Sequence, residues 1–204
     1  MTLTFKNVRL ITPNDWKVYR HVFTKKFLRD SIIKKIIIGG LYCFDYTISN
    51  RSYNIHLHLL AITQKPKTPI KPTKRLLKKF SVKTKKAIRR RIESLNNGYI
   101  PQDLLSSIWK EKTGDSFIVD IRKVNNTDKA MFEVLKYVQS NKLLLEQDEY
   151  LRSVLVQNLK GLRLFSRFGK MYRRQLIDNP NDGCYYCEWP FPHRETFNWR
   201  HVFD

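Results

Sequence analysis

Two histidines, His56 and His58, stand one residue apart in the apolar run Asn54-Ile55-His56-Leu57-His58-Leu59-Leu60-Ala61-Ile62, and only His21, His193 and His201 lie elsewhere. Alternate side chains of an extended strand share a face, so both imidazoles project together while Ile55, Leu57 and Leu59 turn to a core. Two imidazoles converging at this spacing begin a divalent-metal site; the competing reading is a pair of half-buried structural histidines. The segment Ile36 to Ile48 reads as the preceding strand, with a bulge or kink at Gly39-Gly40. Ser49-Asn50-Arg51-Ser52 supplies the turn between them. With Asn50-Arg51 as the loop, Ser49 faces Ser52, Thr47 faces Asn54, Asp45 faces His56 and Cys43 faces His58. Directly opposed side chains share a sheet face with Cβ atoms roughly 5 Å apart. Asp45 therefore joins His56 and His58, and a slip of one residue would undo the arrangement. Mixed oxygen and nitrogen donors suit Mg²⁺ or Mn²⁺ better than structural zinc.

The rest of the chain must position that face. Met1 to Val8 is a β-prone run in which threonine alternates with apolar residues. Asp15 to about Arg29 reads as a helix with Asp15 as N-cap and Val18, Val22, Phe23 and Phe27 inward. A proline-spaced basic stretch, Lys65 to Pro72, leads into one or two helices over Thr73 to Ile92. Asp103 to Lys112 is an amphipathic helix with Leu104, Leu105, Ile108 and Trp109 inward, and Phe117 to Ile121 a further strand. Asn126-Thr127-Asp128 caps a helix from Lys129 to about Lys142, on which Glu133 and Tyr137 lie four apart and share a face. On periodicity alone that pair reads as a packed tyrosine with a glutamate at the rim. Another helix spans about Asp148 to Lys160. The expected fold class is α+β: a central antiparallel sheet of about five strands flanked by helices.

Charge points to the partner. Thirty-nine Lys and Arg against 18 Asp and Glu give a net charge of +21, in a chain of 204 residues that is 42% hydrophobic. That combination describes a folded protein for a polyanion, most simply nucleic acid. Lys74, Arg75, Lys78, Lys79, Lys85, Lys86, Arg89 and Arg90 are concentrated in the helical run after the linker, and Arg163 and Arg167 in the basic, aromatic segment Gly161 to Lys170. Like charges at helical spacing destabilise the helix unless something neutralises them, so the first eight are candidate phosphate contacts, and Arg163 and Arg167 join them on a basic, aromatic strand or loop pair that could face DNA. The tail, residues 176–204, is compositionally separate from a main domain at residues 1–175. Its Cys184, Cys187, His193 and His201 could form a small zinc knuckle, although the spacing fits no common pattern. Three cysteines make no disulfide framework in a chain of this length, so a reducing, cytoplasmic setting is expected. No segment reads as a signal peptide or a bilayer span, and no Gly-x-x-x-x-Gly-Lys-Ser/Thr stretch occurs, so no nucleotide cofactor or built-in helicase is expected.

Met1-Thr2-Leu3-Thr4, Ile55-His56-Leu57-His58-Leu59-Leu60 and Glu133-Val134-Leu135-Lys136-Tyr137 stand in the order seen in rolling-circle replication initiators of the HUH endonuclease superfamily. The chain resembles the plasmid Rep family whose third motif is Glu-x-x-Lys-Tyr, over roughly residues 1–172. The resemblance implies that His56 and His58 hold Mg²⁺ or Mn²⁺, with Asp45 the candidate third ligand. It further implies that Tyr137 is a nucleophile forming a 5′-phosphotyrosyl link, and that Glu133 activates water in the terminating cleavage. Ser140 stands where relatives often carry a lysine, leaving Lys136 or Lys142 as substitutes. The implied partners are single-stranded DNA at a replication origin and the host helicase and polymerase. A single-tyrosine transposase of the same superfamily and a non-enzymatic single-strand-binding domain are the alternatives.

Overall fold

Alternation with a period of two governs the centre of the molecule. In the computed structural model, which describes residues 1–9, 11–49, 52–125, 157 and 163–172, β3 (Ser52–Thr63) buries Tyr53, Ile55, Leu57 and Leu59. Asn54, His56 and His58 alternate with them on the other face. β2 (Ile37–Ser49) pairs antiparallel with β3 and places Ser49 opposite Ser52, Asp45 opposite His56 and Cys43 opposite His58. This is the register that the short turn and the alternation predict. The register shifts between Ile37 and Gly39, beside the expected glycine kink.

β1 (Thr2–Thr4) lies on the other side of β3, followed outward by β4 (Val119–Asp120), while β5 (Phe165–Gly169) pairs with β2. The order is β4-β1-β3-β2-β5, and every neighbouring pair is antiparallel. β1 to β4, with helical crossovers between β1 and β2 and between β3 and β4, make the split βαβ arrangement. β5 extends it at one edge. The architecture is α+β, built on a five-stranded antiparallel sheet.

The first crossover holds α1 (Pro13–His21), a π-helical continuation (Val22–Phe27) and the single turn α2 (Ile33–Ile36). Thr12, not Asp15, is the N-cap: its hydroxyl accepts from Asp15 N, and Asp15 Oδ2 accepts from Thr12 N at 2.8 Å. With Pro13 at N1, a threonine one residue earlier closes a capping box in which Asp15 is the third helical residue. Trp16 takes the inward position of the first turn, and Val18, about 200° further round the helix, is left exposed. The π segment then brings Val22, Phe23 and Phe27 onto the buried face.

α3 (Lys74–Leu77), α4 (Lys85–Asn96) and α5 (Gln102–Thr113) fill the second crossover. Leu76, Leu95, Leu104, Leu105, Ile108 and Trp109 join Leu3, Phe44, Ile55 and Leu57 in one core, so the helices cover the face opposite the histidines. Trp109 Nε1 also donates to Thr4 O at 2.9 Å, tying α5 to β1. The strand expected over Phe117 to Ile121 shrinks to Val119–Asp120. Thr113 and Ser116 turn the chain by mutual hydrogen bonds after Gly114, and Ser106 donates to Phe117 O, which leaves Phe117 and Ile118 exposed. Among the described residues no helix is long and apolar enough to cross a membrane. The helices expected over 129–142 and 148–160 (Gln157 apart), the boundary at 175 and the tail at 176–204 lie outside the described residues.

Candidate functional site

Each histidine sits in a three-strand row. His58 has Thr2 of β1 on one side and Cys43 of β2 on the other; His56 has Thr4 and Asp45. Thr4 Oγ1 and His56 Nδ1 are hydrogen-bonded at 3.2 Å, and Thr2 Oγ1 and His58 Nδ1 at 3.3 Å. Leu3 faces the core, so the threonines of β1 reach the imidazoles for the same reason that the histidines share a face. These two threonines are the partners that reading the residues for chemistry overlooks. Their signal is the Thr-x-Thr alternation matched to His-x-His.

The Asp45 carboxylate reaches diagonally, with Oδ2 3.7 Å from His58 Nε2 rather than against the directly opposed His56. Side chains of both residues are largely withdrawn from solvent. Burial pushes the His56 pKa down, the neighbouring His58 lowers it further, and Asp45 opposes them. His56 is therefore a neutral imidazole at pH 7, the form that donates a lone pair to a metal. Cys43 is fully buried, its thiol raised to about 12 by burial and secondarily by Asp45, so it offers no thiolate.

Two imidazoles and a carboxylate are a donor set for a hard or borderline divalent ion. The ring centroids lie 6.2 Å apart, wider than the roughly 5 Å of two imidazoles on adjacent positions of one ion. Among the described residues no three His, Cys, Asp or Glu side chains stand close enough together to hold an ion. The chemistry of the donors fits an ion, and rotation of the rings toward each other is what binding requires. Asp120 shares the face through its pairing with Thr2, but it stands two strand spacings from His58, about 10 Å, and bonds Arg122.

The basic run lies elsewhere. Because α3 and α4 bury Leu76 and Leu95 in the core, their cations stand on the helical side of the sheet, not over the histidines. Lys74, Arg75, Lys78, Lys85, Lys86, Arg89 and Arg90 are exposed. Arg75 meets Glu111 at 3.3 Å, and Arg89 meets Glu93 at 3.0 Å. Lys85 and Lys86 occupy the first turn of α4, which has no acid there, against the helix dipole. Lys79 differs from its neighbours. Its ammonium is withdrawn between Asp30 and Glu111, where it and Lys112 hold the Glu111 carboxyl down to about 2. The buried Asp30 needs countercharge, which Lys112 at 3.2 Å and Lys79 at 3.9 Å supply together, so Lys79 is a structural cation rather than a phosphate contact.

Arg167 lies across from Leu41, on the histidine face, and Arg163 precedes β5 beside Trp16, Lys17 and Arg20. Tyr137, Glu133, Cys184, Cys187, His193 and His201 lie outside the described residues. No protein-family profile, curated protein or solved structure matches the chain.

Proposed function

We propose that this chain is a metal-dependent, single-tyrosine DNA nicking and joining enzyme of the HUH type, which initiates rolling-circle replication of a plasmid or phage in the cytoplasm. The observation that carries the reading is the single sheet face bearing His56, His58 and Asp45, with each imidazole Nδ1 bonded to a threonine of β1. A proton on Nδ1 donated to a hydroxyl leaves Nε2 as the lone-pair atom, the arrangement by which outer partners orient metal-bound histidines. A five-stranded antiparallel sheet is also what the resemblance leads one to expect. β1 and β3 put no Phe, Tyr or Trp on this face, and among the strands only Phe165 of β5, opposite Cys43, stands there, which gives a single aromatic where domains that stack bases use several.

In this reading His56, His58 and Asp45 would hold Mg²⁺ or Mn²⁺, which when bound would polarise the scissile phosphate as a Lewis acid. The Tyr137 oxygen attacks phosphorus and loses its proton, the bond to the 3′ oxygen breaks, and that oxygen leaves as a 3′-OH. Phosphodiester energy is retained in the tyrosyl ester, so the 3′-OH can later reseal the strand without ATP. Glu133 takes a proton from the water that ends the cycle. The exposed cations of α3 and α4 hold the DNA backbone without reading its sequence, and a host helicase supplies unwinding.

Incubation with end-labelled single-stranded origin DNA and Mn²⁺ is expected to yield a protein–DNA adduct that survives denaturant and disappears with EDTA. Absence of any adduct across origin-derived strands would remove the enzymatic reading. Thr4→Val leaves the His56 ring in place without its hydroxyl partner. It is expected to weaken Mn²⁺ binding about 10–100-fold, measured by calorimetry, and unchanged affinity would show that the threonine plays no part in the ion site.

A further inference from the structure

Between Gln64 and Gly98 the chain carries 13 of its 39 Lys and Arg but a single acid, Glu93, which pairs with Arg89 at 3.0 Å. Neighbouring elements meet this stretch where they anchor it. Asp103 of α5 accepts from Ser81 N at 3.3 Å and from Ser81 Oγ at 3.0 Å, and its other oxygen meets Arg91 at 3.3 Å, which ties α4 and the loop before it to α5. Asn96 in the last turn of α4 clasps the linker, accepting from Ile70 N at 2.7 Å and donating to Ile70 O at 3.4 Å. Glu111 takes Arg75 and Lys79. Lys78, Lys83, Lys85, Lys86 and Arg90 are then left exposed, and none forms an ion pair among the described residues. On α4, Lys85, Lys86, Arg89 and Arg90 fall within an arc of about 140°, turned away from the buried Leu95.

This layer covers the side of the sheet opposite His56 and His58, so a single strand seated on the histidine face reaches it only by passing round a sheet edge. It therefore meets a different part of the nucleic acid. Two features select a base-paired part. A duplex presents one phosphate charge per about 1.7 Å of axis, about twice the density of one strand, and a crowded cationic surface is neutralised best by the denser polyanion. Surfaces that hold unpaired bases set aromatic rings among their cations, and the sole aromatic between Gln64 and Gly98, Phe80, is buried. The exposed Tyr99 follows α4 at the end away from Lys85 and Lys86. We propose that the α3–α4 layer binds double-stranded DNA through its phosphates, holding the base-paired flank of the DNA whose single strand enters the histidine face. The inference rests on the nucleic-acid part of the proposed function and does not require strand cleavage.

The test compares a blunt duplex with an oligothymidylate of the same length, by fluorescence anisotropy in EDTA, on the full chain and on its Lys85→Gln/Lys86→Gln/Arg90→Gln variant. The native chain is expected to prefer the duplex about tenfold, whatever its sequence, and the variant to lose that preference, with a slope of log K against log salt on the duplex shallower by about 2.7. All three side chains are exposed and of one sign, so the variant is expected to melt no lower than the native chain. Lys85→Arg/Lys86→Arg keeps the charge and is expected to keep the preference; its loss there would show that charge is not what holds the duplex. Equal weakening of both probes by the first variant would make the layer a general polyanion surface and overturn the duplex assignment. Unchanged duplex affinity would overturn the surface itself. A native chain that binds neither probe would overturn the nucleic-acid reading beneath the proposal. Loss of the adduct with the duplex preference intact would count against the nicking reading alone.

Discussion

Replacing Tyr137 with Phe is expected to abolish the covalent adduct with single-stranded DNA while leaving Mn²⁺ binding and thermal stability unchanged. The loss follows from the proposed chemistry: phenylalanine keeps the ring and removes the oxygen that would form the ester. Removing a nucleophile from a site that otherwise persists lowers the rate by on the order of 10³–10⁶-fold, below detection in a gel assay. His58→Ala should abolish the adduct too, but by a different route, because it removes a proposed ion ligand and the partner of both Thr2 and Asp45. Calorimetry separates the two: the Tyr137 variant retains a Mn²⁺ isotherm, and the His58 variant loses it. Adduct formation by Tyr137→Phe would assign the nucleophile elsewhere. Full Mn²⁺ affinity in His58→Ala would detach the histidine pair from the metal, even with nicking lost.

The histidine face was legible because its geometry is local. A short turn between two long alternating runs leaves little freedom in register, and one apolar face to bury removes most of what remains. Hence the turn and the alternation alone set Asp45 and Cys43 opposite His56 and His58. The α5 core residues were legible for the same reason, a clean helical period bounded by Gly114. What depended on distant partners was not. Lys79 is indistinguishable in sequence from Lys78, and only the placing of Asp30 and Glu111 against it makes one a structural cation and the other a surface one. The diagonal reach of Asp45 to His58 is likewise a side-chain choice that pairing does not dictate. Phe117 and Ile118 look like strand residues, but Ser106 captures Phe117 O and Thr113 and Ser116 turn the chain before it, so pairing with β1 begins only at Ile118 O, which accepts from Thr4 N.

The same sheet makes Gly40 a position where one methyl group should do heavy damage. A Cβ there would lie 2.1 Å from Leu60 O, 3.1 Å from Leu60 C and 3.2 Å from Ala61 Cα. All three are backbone atoms of β3, so no side chain can swing aside, and the two central strands must part. Gly40→Ala is expected to cost about 2–4 kcal/mol, seen as a fall of roughly 5–15 °C in Tm. Gly114→Ala is the control. Its φ of +91° strains any side chain, yet nothing lies within 4 Å of the added carbon, so about 1 kcal/mol is expected. Equal losses in the two variants would show that the close approach of β2 and β3 at Gly40 does not hold in solution. If the approach holds, Gly40→Ala should also weaken Mn²⁺ binding, because the residues it separates, Leu60 and Ala61, continue the strand that carries His56 and His58.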